Sequence, residues 1–154
     1  MHKLYAKQLA KAKGAYVIAT ASGKNEDFVR SLGADEFIDY TREKFEEVVK
    51  EVDVVYDTVG GDTLERSFQT SKRGGFLVTT VEPPSTEKAE KFDVRIAMVT
   101  VRPSAQQLGE INRLIGAGKL KTHVATVLPL AEVRRAHQLS ESGRTRGKII
   151  LHPR

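Results

Sequence analysis

The stretch from Gly14 to Tyr40 constrains the fold most, because its hydrophobic pattern passes from strand to helix and back to strand. It begins with Ala15–Ala21, a short apolar run of residues that favour β-strands, and a polar turn follows. Residues 26–32 then place three apolar side chains on one face of a helix, and residues 36–38 begin a second short strand. Two such strands joined through a helix form a βαβ unit, which is parallel and has a right-handed crossover.

The same alternation continues along the rest of the chain. Further strands are predicted over residues 52–56, 76–81, 94–101, 124–128 and 148–151, and further helices over 2–13, 41–51, 62–70, 104–115 and 130–142. Alternating strands and helices predict an α/β fold with a doubly wound, mostly parallel sheet. We expect residues 82–91 to form a mobile polar loop and the apolar residues of the 104–115 helix to form a buried stripe.

Composition narrows the class of protein. With 154 residues, 40% of them hydrophobic, the chain is long enough for one domain with a real core, and it has no apolar run long enough to span a membrane. The absence of cysteine excludes disulfides and thiolate metal sites, and we expect a cytoplasmic location. Much of the net charge of +5 comes from five lysines ahead of Glu26, and a solvated helix face explains them better than a nucleic-acid, membrane or targeting function.

The first strand ends in side chains that suit a phosphate. Ligands of doubly wound sheets bind beyond the carboxyl ends of the strands. This end carries the polar residues Thr20, Ser22, Lys24 and Asn25. A site for NAD requires a carboxylate there for the ribose, whereas the first one in this segment is Glu26. Hydroxyls and an ammonium favour the 2′-phosphate of NADP, and ordinary turn chemistry is the competing explanation.

Five stretches of the chain carry a resemblance to a known family. They read QLAKAKGAYVIATAS, VRSLGADEFIDY, DVVYDTVGG, LIGAGKL and ESGRTRGKIIL, and they follow the family's order and spacing from about Leu4 to Leu151. The chain resembles the cofactor domain of the medium-chain dehydrogenase/reductase superfamily, especially its zinc-free, NADPH-dependent, quinone oxidoreductase-like branch. The resemblance implies a Rossmann-like sheet and NADP as the cofactor, with no zinc.

The resemblance also implies roles for particular residues. In the family, the serine and the basic residue that follow the strand equivalent to Ala15–Ala21 contact the 2′-phosphate. The resemblance assigns this contact to Ser22 and Lys24. The tyrosine of the following DY segment lies near the same phosphate, which carries onto Tyr40. Thr58 and Val59 match the position beside the adenosine ribose. Because hydride passes directly from NADPH to the substrate in this branch, no catalytic residue and no metal ligand are implied.

The chain departs from the family at its N-terminal side. The family has a catalytic domain, a first strand and a Gly-rich pyrophosphate loop ahead of the first helix, where this sequence reads Met1-His2-Lys3. We therefore expect residues 1–154 to be one truncated nucleotide-binding domain, with residues 122–154 normally part of the catalytic domain. Because the missing strand is central, we expect the strand at 124–128 or 148–151 to replace it, or the chain to form a homo-oligomer.

Two functional classes remain open. The first is an NADP(H)-dependent oxidoreductase, or its cofactor-binding fragment, which transfers hydride to a quinone, enone or carbonyl. Its partners would be a dinucleotide and a small-molecule substrate, with no nucleic acid or membrane. The second is a non-catalytic remnant that acts as a binding or oligomerisation module. The lack of the Gly-rich loop favours the second class for this chain alone, which we expect to be inactive.

Two other groups of residues are weaker candidates. A basic cluster near the C-terminus is explained either as a solvated turn or as a contact to a bound phosphate; it consists of Arg144, Arg146 and Lys148. The four histidines lack the spacing of metal ligands; they are His2, His123, His137 and His152.

Overall fold

The structure, a computed structural model, describes residues 2–143 and 145–153. The helices are α1 (His2–Ala12), α2 (Glu26–Ser31), α3 (Phe45–Val48), α4 (Gly61–Ser67), α5 (Thr86–Phe92), α6 (Ala105–Gly116) and α7 (Val133–Glu141). The strands are β1 (Ile18–Ala21), β2 (Glu36–Asp39), β3 (Val52–Asp57), β4 (Ser71–Thr79), β5 (Arg95–Met98), β6 (Val124–Pro129) and β7 (Lys148–His152). They form two compact units: the mid-chain unit, residues 17–104, and the terminal unit, residues 1–16 with 105–154.

Every strand pair in the described part of the chain is parallel. In the mid-chain unit β1 pairs with β2, and β3, β4 and β5 form a three-stranded sheet in that order. In the terminal unit β6 pairs with β7. A helix connects the two strands of each pair, because parallel neighbours need a crossover rather than a hairpin. The prediction of an α/β fold with parallel strands is confirmed.

The main core of the mid-chain unit forms where α4 and α5 pack on the β3–β4–β5 sheet. Leu64, Phe68 and Leu77 are 1%, 0% and 0% exposed, and they cluster with Ala89 and Val94. Full burial of each large side chain contributes about 1.5–3 kcal/mol. The Phe68 ring also stacks on Phe92 of α5 with 6.2 Å between the ring centroids. These contacts pack the two helices against β4 and the centre of β3.

In the terminal unit, a buried glutamine of α1 connects that helix to the segment before β6. The Gln8 side chain donates to the Lys121 carbonyl at 3.0 Å and accepts from the Lys121 backbone N–H at 2.7 Å. It also donates to the Leu4 carbonyl of its own helix at 3.2 Å. Since a buried amide must be hydrogen-bonded, this residue fixes α1 against the segment that leads into β6.

The prediction that β6 or β7 is recruited into the main sheet is wrong for the described strands. Each of these strands pairs with the other, in a register that runs from Val124 opposite Lys148 to Pro129 opposite His152. α7 forms the crossover and buries Ala136, while Leu128 is buried on β6. The physical reason is that β6 and β7, joined by the α7 crossover, pair with each other and so satisfy the backbone hydrogen bonds along one side of each strand.

Both sheets of the mid-chain unit have edge strands, each with one described neighbour. Among the described strands, β1 pairs only with β2, and β3 pairs only with β4. Two apolar side chains of β3 are exposed as well, Val54 by 60% and Tyr56 by 42%. An unpaired edge with exposed apolar side chains is a template for a further strand.

The helix predicted over residues 41–51 is reduced to α3, Phe45–Val48. Thr41 does not begin it, because the Thr41 hydroxyl donates to the Asp39 carboxylate at 2.7 Å. Within this segment Val48 is 52% exposed, whereas Glu46 is 7% exposed and binds Arg66 at 2.9 Å. A carboxylate in an ion pair is thus buried on α3, while an apolar side chain of the same helix is exposed.

Two further expectations are corrected. Residues 82–91 contain most of α5, whose first turn is stabilised by the Ser85 hydroxyl accepting the Lys88 N–H at 3.2 Å. The stripe of α6 is not buried, since Leu108 is 61% and Ile115 is 37% exposed. A period of 3.6 residues shows that a helix has an apolar face, but it does not provide the surface that covers it.

Candidate functional site

The carboxyl end of β1 continues into a hydrogen-bonded turn. Ser22 follows the strand, and Gly23–Asn25 form a single 3₁₀ turn that leads into α2. The Asn25 backbone N–H donates to the Ser22 carbonyl at 2.8 Å, and the Asn25 side chain donates to the Ser22 hydroxyl, also at 2.8 Å. Because that hydroxyl acts as an acceptor towards Asn25, its own proton can be directed to a ligand.

The parallel register brings the end of β2 beside this turn. Ala21 lies opposite Asp39, and the Tyr40 backbone N–H donates to the Ala21 carbonyl at 3.3 Å. Tyr40 therefore follows β2 at the level where Ser22 follows β1, and its ring is 60% exposed. Lys24 is exposed on the turn. Three of the predicted site residues are thus neighbours at the carboxyl ends of β1 and β2. We call this region the β1–β2 edge.

The same edge carries a carboxylate that was not among the predicted site residues. Asp39 accepts hydrogen bonds from the Thr41 hydroxyl at 2.7 Å and the Thr41 backbone N–H at 3.0 Å. These bonds, the Gly23 N–H and the nearby Arg42 guanidinium outweigh partial burial and lower the pKa of Asp39 below its ordinary value. The carboxylate is therefore ionised at neutral pH. The Asp-x-Thr spacing was the available signal, but only the strand register shows that Asp39 reaches the β1 turn.

The other two predicted residues lie at the end of β3. Asp57 ends the strand and its carboxylate accepts from the Gly60 N–H at 2.9 Å and from the Val59 N–H at 3.3 Å. It is 5% exposed, and the buried Thr79 hydroxyl of β4 lies 3.4 Å from it. These bonds shape the turn that presents Thr58, which is half-buried, and Val59, which is 52% exposed. The structure thus places the five predicted residues in two clusters, at the β1–β2 edge and after β3.

The remaining candidates do not form a metal site. Among the described residues, no three His, Cys, Asp or Glu side chains are grouped so that they could hold a metal ion.

In the basic cluster, Lys148 places its Nζ atom 5.9 Å from the Tyr5 ring centroid, Arg146 is exposed, and Arg144 lies outside the described residues. None of the described helices has both the length and the apolar content needed to cross a membrane.

Comparison with known proteins gives consistent matches. Residues 32–151 match the family model described as zinc-binding dehydrogenase. A relative from Arthroderma benhamiae, named probable zinc-binding oxidoreductase, mitochondrial, is 34% identical over 143 residues, which cover 88% of this chain and 43% of the relative. The quinone oxidoreductase structure from Coxiella burnetii superposes with a TM-score of 0.87 at 33% identity, over 97% of this chain and 49% of that chain.

A structure of Escherichia coli quinone oxidoreductase complexed with NADPH matches with a TM-score of 0.80 at 31% identity, over 97% of this chain and 53% of that chain. The parallel α/β fold thus defines a protein of the Rossmann-like, nucleotide-binding class. More specifically, the chain belongs to the zinc-binding dehydrogenase family, within the medium-chain dehydrogenase/reductase superfamily, and corresponds to its C-terminal portion. The chain spans about half the length of the curated relatives it matches.

The family description names zinc, yet the described residues of this chain do not form a zinc site. Structural zinc sites use four Cys or His ligands, and catalytic sites use three protein ligands around an open position. The sequence has no Cys, and the described His, Asp and Glu side chains form no such group.

Proposed function

We propose that this chain is the cofactor-binding portion of an NADP(H)-dependent oxidoreductase that reduces a quinone, enone or carbonyl. The observation that supports the proposal is the cluster at the β1–β2 edge. There, a hydroxyl donor, an ammonium and an exposed phenol ring lie on neighbouring strand ends, at Ser22, Lys24 and Tyr40. Charge-assisted hydrogen bonds from such groups are the interactions that a phosphate monoester needs.

Each residue of the two clusters has a distinct role in this proposal. Ser22 donates its hydroxyl proton to the 2′-phosphate, Lys24 neutralises its charge, and Tyr40 contacts the same group. Thr58 and Val59 contact the adenosine ribose from the turn after β3. When bound, the cofactor supplies the hydride, and the protein contributes orientation and electrostatics. No residue of this chain is assigned a catalytic role.

The test uses the adenosine end of the cofactor, so that the result does not depend on the pyrophosphate loop. The full chain should bind adenosine 2′,5′-bisphosphate more tightly than adenosine 5′-monophosphate in calorimetric titrations. Lys24→Glu should weaken the bisphosphate by roughly tenfold or more, because a cation is replaced by an anion beside a phosphate, and it should leave the monophosphate nearly unchanged. Equal affinity of the wild-type chain for both nucleotides would contradict the proposal.

Turnover is tested separately. A longer protein that combines this chain with a catalytic domain should oxidise NADPH in the presence of a quinone. Residues 1–154 alone are expected to bind the adenosine end weakly and to be inactive. Steady oxidation of NADPH by the isolated chain would contradict the second expectation. The proposed absence of zinc can be checked in the same preparations by elemental analysis, and the proposed cytoplasmic location by cell fractionation.

A second candidate function is a binding or oligomerisation module. The observation that favours it is the β3 edge, where Val54 and Tyr56 are exposed beside unpaired backbone groups. A homo-oligomer, or association with a further chain, would cover these side chains. This candidate does not exclude the first, since the β3 edge and the β1–β2 edge involve different residues.

We also propose that residues 122–154 belong to the catalytic domain of an enzyme of this family.

A further inference from the structure

The contact between Asp39 and Gly23 links the ends of β1 and β2. The Asp39 side chain is only 14% exposed, although it lies at the end of a strand. One carboxylate oxygen, Oδ1, accepts both hydrogen bonds from Thr41. The other, Oδ2, faces the β1 turn and closely approaches Gly23. A single side chain therefore connects the turn that carries Ser22 to the segment that carries Tyr40.

The contact requires glycine in the turn. A Cβ atom built on Gly23 would lie 2.5 Å from Asp39 Oδ2 and 3.4 Å from Asp39 Cγ. The first distance is too short for any non-bonded pair of carbon and oxygen, so a larger residue would displace the carboxylate. The close approach, rather than an unusual backbone angle, explains why this position is glycine.

We propose that Asp39 is a positioning residue for the phosphate subsite, which holds the Ser22–Asn25 turn against the Tyr40–Arg42 segment and so sets the spacing of Ser22, Lys24 and Tyr40. This inference rests on the proposed function. Hydrogen bonds weaken steeply outside a narrow range of distance and angle, so a turn that moves by an ångström loses its bonds to a phosphate.

The negative charge of Asp39 acts in the opposite direction, because it repels a phosphate. Three features reduce this repulsion. The Thr41 donors bind the carboxylate, the nearby backbone N–H of Gly23 helps to stabilise its charge, and the Arg42 guanidinium lies with Nε 3.7 Å from Oδ2. The Arg42 side chain is 86% exposed, and solvent around it screens charge over distance. We therefore expect positioning to outweigh repulsion, so that removal of the carboxylate weakens phosphate binding rather than strengthening it.

The experiment breaks the contact from each side. Asp39→Asn removes the charge and replaces the oxygen that faces Gly23 with an amide NH₂ group, whereas Gly23→Ala retains the charge and displaces the carboxylate. Both variants are titrated, as the full chain, with adenosine 2′,5′-bisphosphate and adenosine 5′-monophosphate. The ratio of the two affinities should fall by roughly fivefold to tenfold in both variants, while monophosphate binding changes less. A merely structural role would weaken the two nucleotides equally.

Matched controls make the same chemical changes elsewhere. Asp53→Asn removes an exposed carboxylate that is paired with Lys72, and Gly109→Ala adds a methyl group in α6, where no atom lies within 4 Å. Neither control should change the affinity ratio. A two-dimensional amide spectrum of each variant verifies the fold, and the Gly23 resonance should move in Asp39→Asn but not in Asp53→Asn.

The outcomes separate the inference from the proposed function. If the wild-type chain prefers the bisphosphate and the ratio is unchanged in both variants, only the inference is overturned. If Asp39→Asn binds the bisphosphate more tightly, charge repulsion dominates and the inference is again overturned. If the wild-type chain shows no preference, the proposed function fails and the inference fails with it.

Discussion

Glu46 shows how a single residue can depart from the hydrophobic pattern around it. Its carboxylate is 7% exposed and accepts two hydrogen bonds from Arg66, at 2.9 and 3.0 Å. The Arg66 guanidinium also lies 5.2 Å from the centroid of the Phe45 ring. Burial alone would raise the pKa of Glu46, but the hydrogen bonds and charge of Arg66 lower it below its ordinary value. The pair therefore connects α3 to α4.

Glu46→Gln should lower the free energy of unfolding by about 1–3 kcal/mol, because Arg66 loses a charged partner at a buried position. The pKa is lower in the folded state, so the contribution is fully present above the ordinary value of 4.5 and is lost as pH falls through the folded value. Urea titrations at pH 7 and pH 3 should show a large difference between variant and wild type at pH 7 and a smaller one at pH 3. Glu47→Gln is the control, since Glu47 is exposed and paired only on the surface with Lys44.

Gly60 is a second residue whose identity the structure explains. Its φ angle is +79°, and a Cβ atom there would lie 2.9 Å from Val81 Cγ1 and 2.9 Å from Glu82 Oε1. Gly60→Ala should therefore destabilise the chain by about 1–3 kcal/mol and lower the melting temperature. Gly109→Ala in the open face of α6 should have the opposite effect, a gain of about 0.5–1 kcal/mol, because alanine favours a helix more than glycine does. Similar melting temperatures for the two variants would contradict this account.

At the scale of elements, the helices differ in how much their apolar faces are used. α4 buries Leu64 completely against the sheet, whereas α6 buries none of its residues despite a regular apolar stripe. Periodicity correctly predicted that both are helices, because backbone preference and spacing are local properties. It could not rank their burial, because burial depends on which surface the fold places opposite each helix.

This difference predicts unequal effects of two leucine substitutions. Leu64→Ala should cost about 2–5 kcal/mol, the range for a buried leucine, because it leaves a cavity beside Phe68. Leu108→Ala should change stability by less than about 0.5 kcal/mol, because that side chain is 61% exposed. Denaturant midpoints of the two variants, measured at one protein concentration, test the prediction. A large loss from Leu108→Ala would show that α6 is covered in solution.

At the scale of the whole molecule, the strand pairing divides the strands of the mid-chain unit between two sheets, β1–β2 and β3–β4–β5. β3 has one paired side and one open side in the described chain, and Val54 on it is 60% exposed. A charged side chain on an edge strand opposes pairing with another strand. If the β3 edge mediates association, the wild-type chain should form larger species as its concentration increases, and Val54→Lys should remain smaller.

Light scattering coupled to size-exclusion chromatography measures this difference. Val48→Lys is the matched control, because Val48 is 52% exposed but lies on the short helix α3, which offers no strand edge. The control should associate like the wild type. A wild-type chain that stays monomeric over a hundredfold range of concentration would contradict the oligomer proposal and leave the nucleotide proposal unaffected.

The sequence by itself determined the α/β class, the order of the strands and helices, and the polar turn that carries Ser22 and Lys24 at the end of the first strand. These follow from local patterns, since strand and helix periods and turn residues are properties of neighbouring positions. The resemblance to the family, rather than a local pattern, predicted that Tyr40 lies near them. The tertiary structure alone decided that Asp39 contacts Gly23, that Glu46 is buried with Arg66, and that β6 pairs with β7. Each of these contacts joins residues far apart in the chain. Their formation depends on strand register and on competition between possible partners, which no local pattern records.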